Sequence, residues 1–199
     1  MNAERLKKLH RVSGLLLATF FFFHVINHLS AWWGADAHIR VMKMFRMVYR
    51  FPPVEILLLS SALVQVISGP VLVWKKQFQK NAFDILQVLS GLYLSFFLFY
   101  HIRAVMLGRF VWNTETDFHF AAWGVKNSPA DQFFIPYYSL SVLCVFIHVA
   151  CVHRQKILSL TQPKIGSDAS YRLAGRHAAV IMITGVVITT LIMTSFIRA

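Results

Sequence analysis

Residues Ser13 to His24 read SGLLLATFFFFH, and residues Ser90 to His101 read SGLYLSFFLFYH. Seven of the twelve positions are identical, and each copy ends an apolar run with one histidine. Runs of this composition are typical of membrane-spanning helices, in which an ionisable side chain is costly and is often functional. The repeat therefore predicts two equivalent helices, each carrying a histidine at the same depth.

The composition of the whole chain indicates a membrane protein. Of its 199 residues, 57% are hydrophobic and only eight are acidic. The apolar residues form five blocks of about 20 residues, the length that crosses a bilayer as a helix. We predict one all-α domain over residues 1–199, with four helices in a bundle and the fifth packed outside. The predicted spans are 12–33, 54–74, 84–107, 133–153 and 177–197.

The net charge of +12 is compatible with nucleic-acid binding, but the basic residues are distributed as in a membrane protein. Twelve of the twenty lie on one side of the predicted topology, before the first block or in the second and fourth loops. By the positive-inside rule that side, with the N-terminus, is cytoplasmic. We expect a multi-pass protein of a prokaryotic cytoplasmic (inner) membrane, with the lipid bilayer and not nucleic acid as its partner. The twelve residues are Arg5, Lys7, Lys8, Arg11, Lys75, Lys76, Lys80, Arg154, Lys156, Lys164, Arg172 and Arg176.

The two repeated histidines suggest a haem site. The first and third blocks run in the same direction, so His24 and His101 should face each other at one level. Two neutral imidazoles on separate helices can be the axial ligands of a haem iron. Gly14 and Gly91, ten residues before the histidines, would let a flat group or another helix approach. The alternative is that each histidine only hydrogen-bonds a neighbouring helix. A zinc site at His24 and the neighbouring His28 would lack a nearby carboxylate ligand.

These residues resemble a known family, the single-chain, five-helix, di-haem cytochrome b subunit of succinate dehydrogenases and fumarate reductases. In that family a glycine stands ten residues before a ligand histidine on helices one and three, as Gly14 and Gly91 do here. The resemblance spans nearly the whole chain. It implies haem b as cofactor, membrane quinone as substrate, and a flavoprotein and an iron–sulfur subunit as partners.

Two further motifs extend the resemblance. The family has a proline twelve residues before a ligand histidine on helix four, and Pro136 and His148 have that spacing. The stretch HRVSG (His10–Gly14) is similar to the start of helix one in related anchors, where an arginine and a hydroxyl line a quinone site. The resemblance therefore implies that His148 binds the cofactor and that Arg11 and Ser13 bind quinone.

The second helix departs from the family pattern. The family pairs the histidine of helix four with a histidine on helix two, but the block 54–74 contains none. By depth the equivalent of His148 is near position 69, where Gly69 and Pro70 stand. We therefore predict one haem per chain, or two if Gln65 or another residue supplies the missing ligand. The space beside His148 would either hold a quinone or lipid that accepts a hydrogen bond from it, or be closed by side chains.

Redox chemistry on dicarboxylates would belong to partners, because the chain has no dinucleotide fingerprint and no cysteine cluster for iron–sulfur binding. We expect a haem b anchor that transfers electrons between a succinate dehydrogenase or fumarate reductase module and quinone, with no catalytic residue of its own. Glu55 is either the outer carboxylate that this family uses in some quinol reactions or a cap of helix two. The alternatives are a haem-free membrane protein of the same fold, acting as a transporter or assembly partner, and a stand-alone b-type cytochrome.

Overall fold

A computed structural model describes residues 2–75 and 81–198. Within these ranges the chain forms seven α-helices and one 3-10 turn (Ala31–Trp33), with no β-strand. Lys76 and Lys80, two of the basic residues assigned to the inner side, lie outside the described residues. The helices are α1 (Ala3–Ser30), α2 (Ala35–Tyr49), α3 (Pro52–Lys75), α4 (Ala82–Phe110), α5 (Phe118–Lys126), α6 (Asp131–Ile165) and α7 (Ser167–Arg198).

Short polar side chains begin several of the helices. The side-chain oxygen of Asn2 accepts a hydrogen bond from the backbone N–H of Glu4, and Asn81 does the same for Asp84. Asp117 caps α5 in the same way through the N–H of His119. Such caps satisfy backbone donors that have no partner within the helix.

In the described part of the chain, five helices are long and apolar enough to cross a membrane: α1, α3, α4, α6 and α7. Their most apolar 18-residue windows have mean hydropathies of 1.6 to 2.3, yet only 17 to 33% of each window is buried within the protein. Apolar surface that the protein leaves uncovered needs another apolar environment, which the bilayer provides. The prediction of a multi-pass, five-helix, all-α membrane protein is confirmed.

The helices pack in chain order: α1 against α3, α3 against α4, α4 against α6, and α6 against α7. Among the described residues, no Cα atom of α1 comes within 8 Å of a Cα atom of α4 or α6. Helices in direct contact have axes about 8–10 Å apart, so these pairs are separated by more than ordinary packing. Side chains from α1 and α4 therefore meet across the space between these helices. α7 packs mainly against α6 and also contacts α1, the 3-10 turn and α5.

We call the end of the bundle that carries the short helices α2 and α5 the outer end, because the predicted topology places it away from the N-terminus. The opposite end is the inner end. A buried hydrophobic cluster at the outer end joins α1, α5 and α7. Its members are Val25, Ala31, Phe118, Ala122, Ile192 and Phe196. These contacts hold α5 against α1 and α7 at this end of the bundle.

The inner end differs from the prediction. The apolar blocks predicted a loop over 154–176, but α6 continues to Ile165 and α7 begins at Ser167. Residues 154–176 therefore form a helical hairpin that turns at Gly166, which has a φ of 79°. Hydropathy reports where the bilayer ends, whereas a helix continues as long as its backbone bonds and packing favour it. α3 likewise runs without interruption through Pro70, although proline removes a backbone donor from a helix.

Candidate functional site

His24 of α1 and His101 of α4, here called the outer pair, meet in the space between those helices. Their ring centroids are 6.2 Å apart, and the ring planes differ by 73°. Bonds between a metal and an imidazole nitrogen are about 2 Å long, so two rings that share one iron have centroids about 6 Å apart. The separation of the outer pair therefore fits an iron bound between two imidazoles.

The sequence repeat is also a structural repeat. Phe20 stacks on His24 with centroids 5.3 Å apart, and Phe97 stacks on His101 with centroids 5.1 Å apart. Phe20 and Phe97 occupy identical positions of the repeat, one helical turn before each histidine. Sequence reasoning did not single them out among the surrounding phenylalanines. Their spacing of four residues from the histidine was the available signal.

A chain of polar side chains leads from His24 toward the outer surface. His24 Nε2 lies 3.0 Å from His28 Nε2, and His28 Nδ1 lies 3.4 Å from His38 Nε2. Asn27 Nδ2 is 3.1 Å from the same nitrogen of His38. An iron bound at His24 Nε2 would replace His28 as the partner of that nitrogen. His38 lies on α2, between the first two long apolar helices, and is only 2% exposed.

His38 is held in its neutral form. The pKa of His38 is lowered to about 4, chiefly by burial; the charge of Asp117 opposes this shift, and the charge of Arg46 adds to it. His38 Nδ1 and Asn27 Oδ1 are buried without a hydrogen-bond partner among the described residues. Buried polar atoms in native proteins usually have a hydrogen-bond partner, either in the protein or in ordered water. These two atoms favour a polar group near the outer pair.

Arginines cluster beside this region at the outer end. Arg46 donates to the backbone oxygen of Thr116 over 2.7 Å, and its Nε is buried without a partner in the described part of the chain. Arg50 donates to Thr116 Oγ1 over 3.1 Å, and Arg109 pairs with Glu55. Burial, with the charges of Arg46 and Arg109, lowers the pKa of Arg50. Glu55, the candidate outer carboxylate, is therefore engaged in an ion pair.

In the inner half of the bundle, His148 packs against α4. Its Nδ1 lies 3.2 Å from the backbone oxygen of Gln87 and 3.4 Å from Ser90 Oγ. A Cβ atom placed on Gly91 would lie 3.0 Å from His148 Cε1. Because a carbonyl oxygen can only accept, Nδ1 carries the hydrogen and Nε2 of the neutral ring is left as an acceptor. The sequence hypothesis had His148 donating to a quinone, whereas neutral His148 offers an acceptor.

Gln65 of α3 makes the corresponding contacts with α1. Its Nε2 donates to the backbone oxygen of His10 over 2.6 Å and to Ser13 Oγ over 2.8 Å. A Cβ atom on Gly14 would lie 3.3 Å from the same Nε2. Gln65 and His148, here called the inner pair, thus lie against equivalent glycines of the repeat.

This equivalence changes the predicted partner of His148. His10 and Ser13 occupy the same repeat positions as Gln87 and Ser90. Gln65 therefore makes the contacts with α1 that His148 makes with α4. The depth count from sequence pointed to Gly69, whereas the contacts with the repeat select Gln65, one helical turn away on α3. Gly69 instead faces Ser95, whose Oγ would be 2.9 Å from a Cβ at that position.

The structure does not bring Arg11 and Ser13 together. Ser13 is buried and donates to the backbone oxygen of Leu9, while Arg11 is exposed. Residues two apart on a helix point in different directions. Arg11 instead lines an open concavity of about 400 Å³ at the inner end of α1, shared with Glu4, Arg5, Lys7 and Lys8.

Comparisons with protein-family models, with curated proteins and with solved structures found no match. Any assignment of function is therefore carried by the residues described above.

Proposed function

We propose that the chain is a haem b-containing membrane anchor that transfers electrons between a succinate dehydrogenase or fumarate reductase-type soluble module and membrane quinone. The observation that carries the proposal is the outer pair. Two imidazoles from separate helices, at equivalent positions of a repeat, have ring centroids 6.2 Å apart inside a membrane bundle. A protein that only filled this space would have no need for the costly histidine twice.

The residues around the outer pair suit a porphyrin. His24 and His101 would be the axial ligands, and Phe20 and Phe97 hold their rings in place by stacking. The arginines at the outer end, with the buried Nε of Arg46, offer donors to the haem carboxylates. When bound, haem supplies one-electron transfer, and the chain contributes ligation, orientation and an apolar environment.

The inner pair supports a stoichiometry of one haem per chain. His148 keeps Nε2 as a potential ligand, but its counterpart Gln65 has a carboxamide instead of an imidazole. Imidazole is a good ligand of iron, and amides are found among the hard-metal ligands instead. The resemblance of the sequence to di-haem anchors would then hold for the outer haem only.

The distribution of charge supports an orientation in the membrane, and the proposed partners are those that the resemblance implies. The N-terminal turn of α1 and the hairpin of α6 and α7 carry basic residues on the same side of the bundle. By the positive-inside rule this side would be cytoplasmic, in the prokaryotic inner membrane that the proposed function implies. A flavoprotein and an iron–sulfur subunit would bind there, and quinone would exchange electrons within the membrane.

One observation favours a second candidate, a haem-free membrane protein of the same fold. His24 Nε2 already has a hydrogen-bond partner in His28, so the imidazole is satisfied without iron. A dithionite-reduced minus oxidised spectrum of the purified chain decides between the two. A b-type α-band at about one haem per chain supports the anchor. A protein that is folded and has no haem bands, even after incubation with haemin, contradicts it.

A further inference from the structure

The hairpin of α6 and α7 extends well beyond the inner end of α4. The guanidinium of Arg154 lies over the ring of Phe83, the second residue of α4, at 4.0 Å. Gln155 donates to the side chain of Gln87, one turn further along α4. Arg154 is therefore level with the first turn of α4. From there α6 continues to Ile165, which at 1.5 Å per residue is about 16 Å.

This length takes the end of the hairpin past the lipid headgroups. The apolar block of α6 ends at residue 153, close to Arg154. The headgroup layer on each side of a bilayer is about 5–8 Å thick, roughly half of the distance that the hairpin spans. We call residues 160–172 the hairpin tip. If the hairpin stands along the membrane normal, this length carries the tip into the aqueous phase on the side of the N-terminus, beyond the lipid carboxylates and phosphates.

The hairpin is a packed element. Ser170 and Ala174 of α7 are fully buried, and Ser170 Oγ donates to the backbone oxygen of Gly166 over 2.7 Å. The Arg154 guanidinium also lies over the ring of Tyr171 at 5.5 Å. Small buried residues let two helices approach closely, so the hairpin presents a defined surface.

That surface combines exposed apolar side chains with positive charge. Leu160, Ile165 and Tyr171 are each about half exposed, at 49, 51 and 49%. Around them the hairpin exposes four basic residues and one acidic residue. Apolar side chains ringed by charge, in water, are typical of protein–protein contacts. The charged residues are Lys156, Lys164, Arg172, Arg176 and Asp168.

We infer that the hairpin tip docks a soluble protein whose surface places acidic side chains around an apolar patch. This inference rests on the proposed function and deepens it, because it gives the soluble succinate dehydrogenase or fumarate reductase-type module a docking surface on this chain. The basic rim orients the partner by charge, and Leu160, Ile165 and Tyr171 supply the desolvated centre. The association is consequently weakened by salt.

The first test measures where succinate-dependent dye-reductase activity is found after centrifugation of cell extracts. With the wild-type chain it should sediment with the membranes. With Lys164→Glu and Arg172→Glu together, at least five-fold less should sediment, and Leu160→Ser with Tyr171→Ser should give a similar loss without a change of charge. The matched control is Arg40→Glu with Lys43→Glu, two exposed basic residues on the outer helix α2. Immunoblotting verifies equal amounts of chain in the membranes.

The second test does not depend on what the partner catalyses. Ser159→Cys places an exposed thiol beside the tip, while Cys144 and Cys151 are buried. In inside-out native membrane vesicles, an impermeant maleimide should label this thiol at least three-fold faster after a wash with 1 M KCl than before it.

Equal labelling before and after the wash, or activity that still sediments with the charge-reversed chain, overturns the docking inference. Slow labelling that only detergent relieves indicates lipid contact and overturns it as well. Protection by a salt-removable protein without any succinate-dependent activity supports docking and contradicts the proposed function.

Discussion

The outer and inner pairs occupy equivalent frameworks but have different chemistry. The outer pair puts the same residue on α1 and α4, with a matching stacked phenylalanine below each ring. The inner pair puts glutamine on α3 and histidine on α6, against matching glycines. Both inner side chains donate to a backbone carbonyl at the same repeat position. The backbone arrangement is therefore retained in both halves. The outer half offers two imidazoles, whereas the inner half offers one, because Gln65 takes the place of a second histidine.

The largest expected effect comes from removing an imidazole of the outer pair. His24→Ala or His101→Ala should lower the haem content at least ten-fold, because a single axial ligand holds a b-type haem poorly in place. The measurement is the reduced-minus-oxidised spectrum per chain. His119→Ala, which removes an exposed histidine of α5, is the control and should leave the spectrum unchanged. Haem bands that survive both substitutions would contradict the ligand assignment.

A second substitution should make the two halves alike. Gln65→His would place an imidazole opposite His148, so the haem content should rise from about one to about two per chain after reconstitution with haemin. A pyridine haemochrome assay against the chain concentration gives the ratio. Gln65→Asn, which keeps the amide, is the control and should stay at one. A wild-type ratio of two would show that the inner pair already binds haem.

The outer half should also respond to pH through His38, which has no counterpart in the inner half. Folding lowers the pKa of His38 from 6.5 to about 4, so between these values the unfolded chain binds a proton that the folded chain does not. Stability is therefore full above pH 6.5 and falls as the pH decreases, by a loss on the order of 3 kcal/mol at pH 4. Thermal unfolding in detergent from pH 7.5 to 4.5 measures it. His38→Gln should remove this part of the pH dependence, and an unchanged slope would contradict the assignment.

The smallest effect tests the symmetry of the outer pair. Phe20→Leu and Phe97→Leu each remove one ring stacked on a histidine and leave the apolar volume nearly filled. Each should weaken haem retention by about 1 kcal/mol, the usual contribution of an aromatic pair beyond its buried area. Haem transfer to apomyoglobin measures the loss. Phe22→Leu, an exposed position of the same repeat, is the control. Unequal losses at Phe20 and Phe97 would show that the repeat is not equivalent in three dimensions.

The sequence was sufficient for the number of membrane helices and for the meeting of His24 with His101. Hydropathy depends on the bilayer thickness and therefore counts spans well. The repeat places His24 and His101 at the same distance along two helices that run in the same direction. Their equal depth could therefore be predicted without knowing how the helices tilt. His148 lies on α6 and Gln65 on α3, and these two helices share no sequence repeat from which equal depth could be predicted. The depth count consequently reached Gly69 instead of Gln65.

Other features depend on contacts that a single sequence does not show. His38 is buried because α2 folds back on α1 and α5, which no local pattern of residues indicates. The continuation of α6 and α7 beyond the membrane was missed because the residues from 154 to 176 are polar, although they are compatible with a helix. The separation of Arg11 from Ser13 is visible only once the rotation of α1 is known.

The hydrogen bond between His24 and His28 has a consequence for biosynthesis. His101 is 77 residues further along the chain than His24. At translation rates of ~5–20 residues per second, α1 waits roughly 4 to 15 s before α4 has been made. An unpaired imidazole in the bilayer during that time would be costly. His28 is made four residues after His24 on the same helix and lies 3.0 Å from it, so α1 can enter the membrane with its buried histidine already satisfied.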